Sequence, residues 1–121
     1  MGSNFTTRNI SGANLSFANL QDAVLQSTNL RDANLDNAYL AGANLYLSTL
    51  DGANLYGANL TGATLVAAGL YGSSLLSANL EGADLAGVNW GNTTCPDGTN
   101  SDTHDGTCCG HLNGATPSRC F

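Results

Sequence analysis

Ala53-Asn54-Leu55-Tyr56-Gly57, Ala58-Asn59-Leu60-Thr61-Gly62 and Ala63-Thr64-Leu65-Val66-Ala67 follow one another without a gap, each a variant of the one before. Outward from this stretch, every fifth residue from Leu15 to Leu85 is leucine. The same frame takes in Phe5 and Ile10 ahead of it and Trp90 behind it, which makes 18 units between Ser3 and Asn92 with no insertion. A fixed internal period sets the architecture before any local propensity does.

A period of five excludes both regular structures. An α-helix turns about 100° per residue, so a five-residue step turns about 140° and the leucines would visit every face. In a continuous strand side chains alternate, and an odd step sends each successive leucine to the opposite face. The pattern becomes consistent if the chain bends once per unit. The residue two before the leucine position is alanine in 12 of the 18 units and Ser3, Thr28, Ser48 or Ser73 in four more. That small residue and the leucine then both point inward from one short extended side, and the bend absorbs the odd residue. The bend has its own signature: eight glycines, Gly52 and Gly57 among them, fall two after the leucine position. Glycine reaches the positive φ of a type II turn without a Cβ clash. Asparagine stands just before the leucine position in eleven units, where its side chain can hydrogen-bond the nearby backbone. Successive coils would stack about 4.8 Å apart.

The Ala-Asn/Asp-Leu-x-x unit is similar to the repeat of the pentapeptide repeat family. The resemblance covers residues 3–92. It implies an all-β fold, a right-handed quadrilateral parallel β-helix (a solenoid) with four units to a coil. The 18 units would then make about 4.5 coils, a stack about 22 Å tall. The expected organisation is a repeat rod over residues 1–92 and an irregular cap over residues 93–121.

The tail holds all four cysteines, both histidines and both prolines. Its stretch Thr94-Cys95-Pro96-Asp97-Gly98-Thr99-Asn100-Ser101-Asp102 resembles tails that follow such repeats in cyanobacterial members. Four cysteines in a short irregular segment read as two disulfides. Cys108 and Cys109 are adjacent and a vicinal bridge is strained, so Cys95–Cys108 with Cys109–Cys120 is favoured, followed by Cys95–Cys109 with Cys108–Cys120. Either pairing staples the tail over the Trp90 end and implies an oxidising compartment: periplasm, lumen or the outside of the cell.

No cofactor or metal is expected. His104, His111 and the cysteines supply zinc-type ligands, but no C-x-x-C pair exists. Asp97, Asp102 and Asp105 offer carboxylates for calcium, yet the EF-hand pattern fails, with Asp102 at its sixth place and Cys108 at its twelfth. The remaining reading is an Asx-rich loop held by disulfides.

Charge narrows the partners. The chain has no lysine, three arginines (Arg8, Arg31, Arg119) and nine acidic residues, for a net charge of −6. It lacks the basic footprint that nucleic acid or an anionic membrane requires, and no segment has the length and apolar content of a membrane span. No leader is visible. Met1-Gly2-Ser3 reads as a cloning remnant, which leaves room for a leader that has been removed.

Phe5 and Trp90 are expected to plug the two ends of the stack. Arg8 stands where a small inward residue belongs, so the first coil is expected to be open, and its uncovered backbone makes the N-terminal end a surface for self-association. Residues just after leucine point outward. At twenty-residue spacing Tyr46 aligns with Val66, with Val24 and Leu47 nearby, and Tyr56 aligns with Leu76 on the opposite side. These six form the candidate surface for a protein partner. The repeat contains no histidine, no cysteine and no convergent acid–base pair, so an enzyme is not expected. The chain reads as a non-enzymatic structural or protein-interaction module. The alternative is a DNA-mimic inhibitor of a type II topoisomerase (gyrase), as some acidic members of the family are. Against it, six repeat-region carboxylates face two arginines over four sides.

Overall fold

The computed structural model describes residues 2–103 and 105–121; Met1 and His104 lie outside the described residues. From Asn4 to Ser74, the residue ahead of each leucine position forms a parallel bridge to the residue twenty further on, the last pair being Ser74 and Thr94. Twenty residues are four units, so the chain returns above itself after four short sides. Side 1 carries Leu25, Leu45, Leu65 and Leu85; side 2 Leu30, Leu50 and Leu70; side 3 Leu35, Leu55 and Leu75; side 4 Leu40, Leu60 and Leu80. Each side is extended for only a few residues. Asn54 N donates to Ala33 O at 2.9 Å below, and Leu55 N donates to Ser74 O above at 2.8 Å. The bend at every fifth residue forbids a longer strand.

The bends are uniform although their residues are not. The residue two after the leucine position has positive φ in all 18 units, between 50° and 71°. The next backbone N–H then closes onto the leucine carbonyl, as Ala58 N does to Leu55 O at 3.0 Å. Positive φ at the third residue of such a turn is the type II signature. Ten of these positions are not glycine, and Phe17, Leu47 and Ala67 are among them. A side chain in the left-handed region costs roughly 1–2 kcal/mol, so the stacking of coils overrides residue preference there. Asparagine supplies the clamp. In all eleven units its Oδ1 accepts the backbone N–H two residues later, at 3.0–3.2 Å.

The core is one column. Every leucine position from Leu25 to Leu85 is 0 % exposed, with the alanines of the next row packed beside it. Burial fades toward the start, where Phe5, Ile10 and Leu15 are only half-buried and Arg8 is exposed. The register nevertheless holds, since Arg8 O accepts from Asn29 N at 2.9 Å.

At the other end the coil runs on past Asn92. Thr93 takes the small inward place and Cys95 the leucine place, both fully buried. Leu75 N donates to Thr94 O at 2.8 Å and Ser77 N to Pro96 O at 3.0 Å. A short 3-10 helix, Ser101–Thr103, then seats over Trp90. Ser101 Oγ donates to Trp90 O, and Ser101 N donates to Thr93 O at 2.9 Å. The chain returns as a strap along the top edge of sides 4 and 1. Gly82 N donates to Thr116 O, Ser118 N to Ala83 O and Leu85 N to Arg119 O, each at 2.8 Å. Arg119 bridges Asp84 in the parallel sense and so fills the place of a next coil. Disulfides join Cys95 to Cys108 and Cys109 to Cys120. One is anchored in the core column and the other secures the strap.

Candidate functional site

Two regions carry side chains beyond what folding requires: the four outer sides and the cap. On side 1 the stacking brings Tyr46 and Val66 one above the other, with Leu47 N donating to Val66 O at 3.1 Å. Tyr46 is 38 % and Leu47 47 % exposed, both large for apolar groups on so small a rod. Val24 sits one coil below and is half-buried, as is Val66. On side 3 Tyr56 and Leu76 stack in the same way, with Gly57 N donating to Leu76 O at 3.0 Å. The two groups stand on opposite sides, so the six residues form two patches rather than one.

Two aromatics of the repeat escaped the sequence reading. Phe17 is 67 % and Tyr39 56 % exposed. Each signal was present. Phe17 occupies a turn position that otherwise favours glycine or small polar residues, and Tyr39 replaces the asparagine clamp. Tyr71, on side 2, is likewise 56 % exposed, while its backbone N–H is held within the molecule. Arg31 Nη1 lies 3.3 Å from Asp51 Oδ2, and Asp51 Oδ1 accepts from Tyr71 N at 3.2 Å. The Tyr71 ring in turn lies over Gly91, where a Cβ would come within 2.7 Å of Cδ2.

The charges do not line up. Asp22, Asp32 and Asp36 stand on sides 4, 2 and 3. Asp84, on side 1, is gripped by Arg119, whose Nε reaches both carboxylate oxygens at 3.0 Å and whose Nη2 reaches Oδ2 at 2.6 Å. This hydrogen bonding holds the Asp84 carboxyl below the usual carboxylate range. Glu81 Oε2 accepts from Thr116 N at 2.7 Å. Among the described residues, side 1 is left with no unpaired charge.

The cap uses its acids internally. Asp97 Oδ1 accepts the Thr99 hydroxyl at 2.6 Å and Thr99 N at 3.0 Å, while Oδ2 meets His111 Nδ1 at 2.8 Å. The Thr99 hydroxyl is the largest influence, and together these partners pull the Asp97 carboxyl down to about 2. Asp102 Oδ1 accepts from Asn92 N at 2.9 Å. Among the described residues no group of three or more His, Cys, Asp or Glu converges to hold a metal ion. An open cleft of about 430 Å³ separates Ser77–Asn79 from the 112–115 loop. A second, of about 320 Å³, lies between Val88, Trp90, Asp105 and Phe121. No helix is long and apolar enough to cross a membrane among the described residues.

Comparison with known proteins identifies the repeat. The family described as Pentapeptide repeats matches in eight copies, over residues 9–45 and 28–65. A pentapeptide repeat protein from Nostoc PCC 7120 is 34% identical over 77% of this chain and 74% of its own, with a TM-score of 0.49. One from the thylakoid lumen of Arabidopsis thaliana is 30% identical over 77% of this chain, with a TM-score of 0.48, and this chain spans 65% of its length. HetL of Nostoc, a pentapeptide repeat protein involved in regulating heterocyst differentiation, is 28% identical over 83% of this chain and 58% of its own, with a TM-score of 0.38. No curated protein matches.

Proposed function

This chain belongs to the pentapeptide repeat family, and from that premise we propose that it is a non-enzymatic protein-interaction rod that docks through side 1. The rod presents the surface, and the disulfide-held cap that follows its last side at Cys95 protects one end. The observation that carries the reading is the conjunction on side 1. Exposed Tyr46 and Leu47 lie against Val66 on a side without unpaired charge, and Leu47 holds a left-handed φ of 57°. A bulky apolar residue that is both solvated and strained is costly to keep, and such residues gather where a surface binds. Two disulfides support residence in an oxidising compartment.

The topoisomerase reading would require carboxylates in line along one side. Asp22, Asp32 and Asp36 stand on three sides, and Asp51, Glu81 and Asp84 are engaged by Tyr71 and Arg31, by Thr116 and by Arg119. Gyrase supercoiling is therefore expected to proceed unchanged in the presence of the purified protein.

The test of side 1 is photo-cross-linking in the cells that make the protein. A photoreactive residue at position 46 should trap a discrete product. The same residue at position 61, on side 4, should not. Identical product patterns from both positions would refute docking through side 1.

A further inference from the structure

Resting on the side 1 reading, we infer that the occupant of side 1 is a second copy of this chain, packed face to face about a two-fold axis. Charge selects the partner. With a net charge of −6, two copies repel through any side that carries free carboxylates. Sides 2, 3 and 4 carry Asp32, Asp36 and Asp22, whereas the charge of Asp84 on side 1 is neutralised by Arg119 at 2.6 Å. A basic partner would seek the other three sides. A partner that is itself acidic escapes repulsion only by choosing the neutral one. A two-fold interface must also be self-complementary, and an apolar set flanked by neutral amides and hydroxyls (Asn44, Thr64, Gln26) meets that condition against itself.

The exposed area permits such a contact. The chain exposes 5471 Å² in all, and an even quarter of this is an upper bound of about 1,370 Å² for one side. The roughly 800 Å² per partner of a standard stable interface would take at least somewhat over half of it on each copy. Two flat β faces pack about 10 Å apart, close enough for Tyr46 and Leu47 of one copy to fill the space beside Val66 of the other. Leu47 adds a further argument. At φ 57° it occupies a turn position that glycine fills in eight of the 18 units.

The experiment is sedimentation equilibrium of the full, disulfide-intact chain from about 1 to about 300 µM. A reversible dimer is expected. Leu47→Gly restores the residue the turn favours, so it should melt no lower than the wild type while weakening the dimer at least about tenfold. Val66→Asp should abolish dimerisation at low salt, and added salt should restore part of it. Leu76→Ser on side 3 should change nothing. A wild type that stays monomeric throughout would overturn the inference, as would a dimer unmoved by both side 1 variants. A dimer lost in Phe5→Asp but kept in Leu47→Gly would overturn it in favour of the first-coil edge. A monomer whose position-46 cross-link has the mass of a different protein sinks the second copy but leaves side 1 as the docking surface.

Discussion

Deleting a polar atom from the interior of this rod should stabilise it, and the position where this holds is Ser48. Five hydroxyls are buried in the leucine column or directly over it. Four of them are satisfied: Thr28 Oγ1 donates to Phe5 O at 2.8 Å, Ser73 Oγ and Thr93 Oγ1 donate to Leu70 O at 2.7 Å, and Ser101 Oγ donates to Trp90 O. Ser48 is 1 % exposed, and its Oγ has no partner. A buried hydroxyl stripped of water without replacement costs about 1–3 kcal/mol. Alanine fills this place in 12 of the 18 units, so Ser48→Ala leaves a side chain the coil already accommodates. The expected gain is about 1–2 kcal/mol. For a chain of 121 residues that raises the melting temperature by about 4 °C per kcal/mol. Ser73→Ala is the internal control, because it removes a made hydrogen bond and should cost about 0.5–1.5 kcal/mol. Urea titrations with an unchanged slope would read both as midpoint shifts of opposite sign. If Ser48→Ala melts at or below the wild type, the hydroxyl is satisfied and the argument fails.

Leu55 is fully buried at mid-stack, and Leu55→Asp should cost at least about 4 kcal/mol by burying an unpartnered carboxyl; circular dichroism that kept its β signal and melting point would contradict the inward assignment. Asp97 should loosen the cap at acid pH. A carboxyl held low in the folded chain contributes its stability above its unfolded value and loses it as pH falls through the folded one. The window runs from 3.8 down to about 2, and the Asp84–Arg119 contact weakens in the same direction. Hydrogen exchange at the 97–111 contact should quicken there while the uncharged leucine column stays protected; simultaneous loss of both would show that the cap and coils unfold as one. Cys109 and Cys120 are half-buried whereas Cys95 and Cys108 are fully buried, so a mild dithiol reductant should open Cys109–Cys120 first. Intact mass would then show two added hydrogens with the β signal unchanged, and the opening of both bridges at once would refute that order.

The parts legible in the sequence are those that depend on period. The inward pairs of Ala53 with Leu55, the four sides and the stacking of Tyr46 on Val66 all follow once every fifth residue must face one axis. The asparagine clamp was legible too, because its hydrogen bond spans two residues. The turn position was only half legible. Eight glycines announced the positive φ, but nothing local in Phe17, Leu47 or Ala67 says that these residues adopt it. They do so because the coils above and below leave no alternative, and that is also why exposed Phe17 went unmarked.

The chain alone therefore determined the rod, because a strict five-residue period has few ways to bury its leucines. The tertiary structure decided the cap. Cys95 serves as a core leucine, and Thr116–Arg119 returns to lie parallel on Asp84. The choice among cysteine pairings also belongs to that return. The strap contacts join residues 35 apart without any period to announce them, whereas Cys95 still falls on the five-residue frame; the strap is held because the open top edge of the last coil offers backbone groups that must find partners.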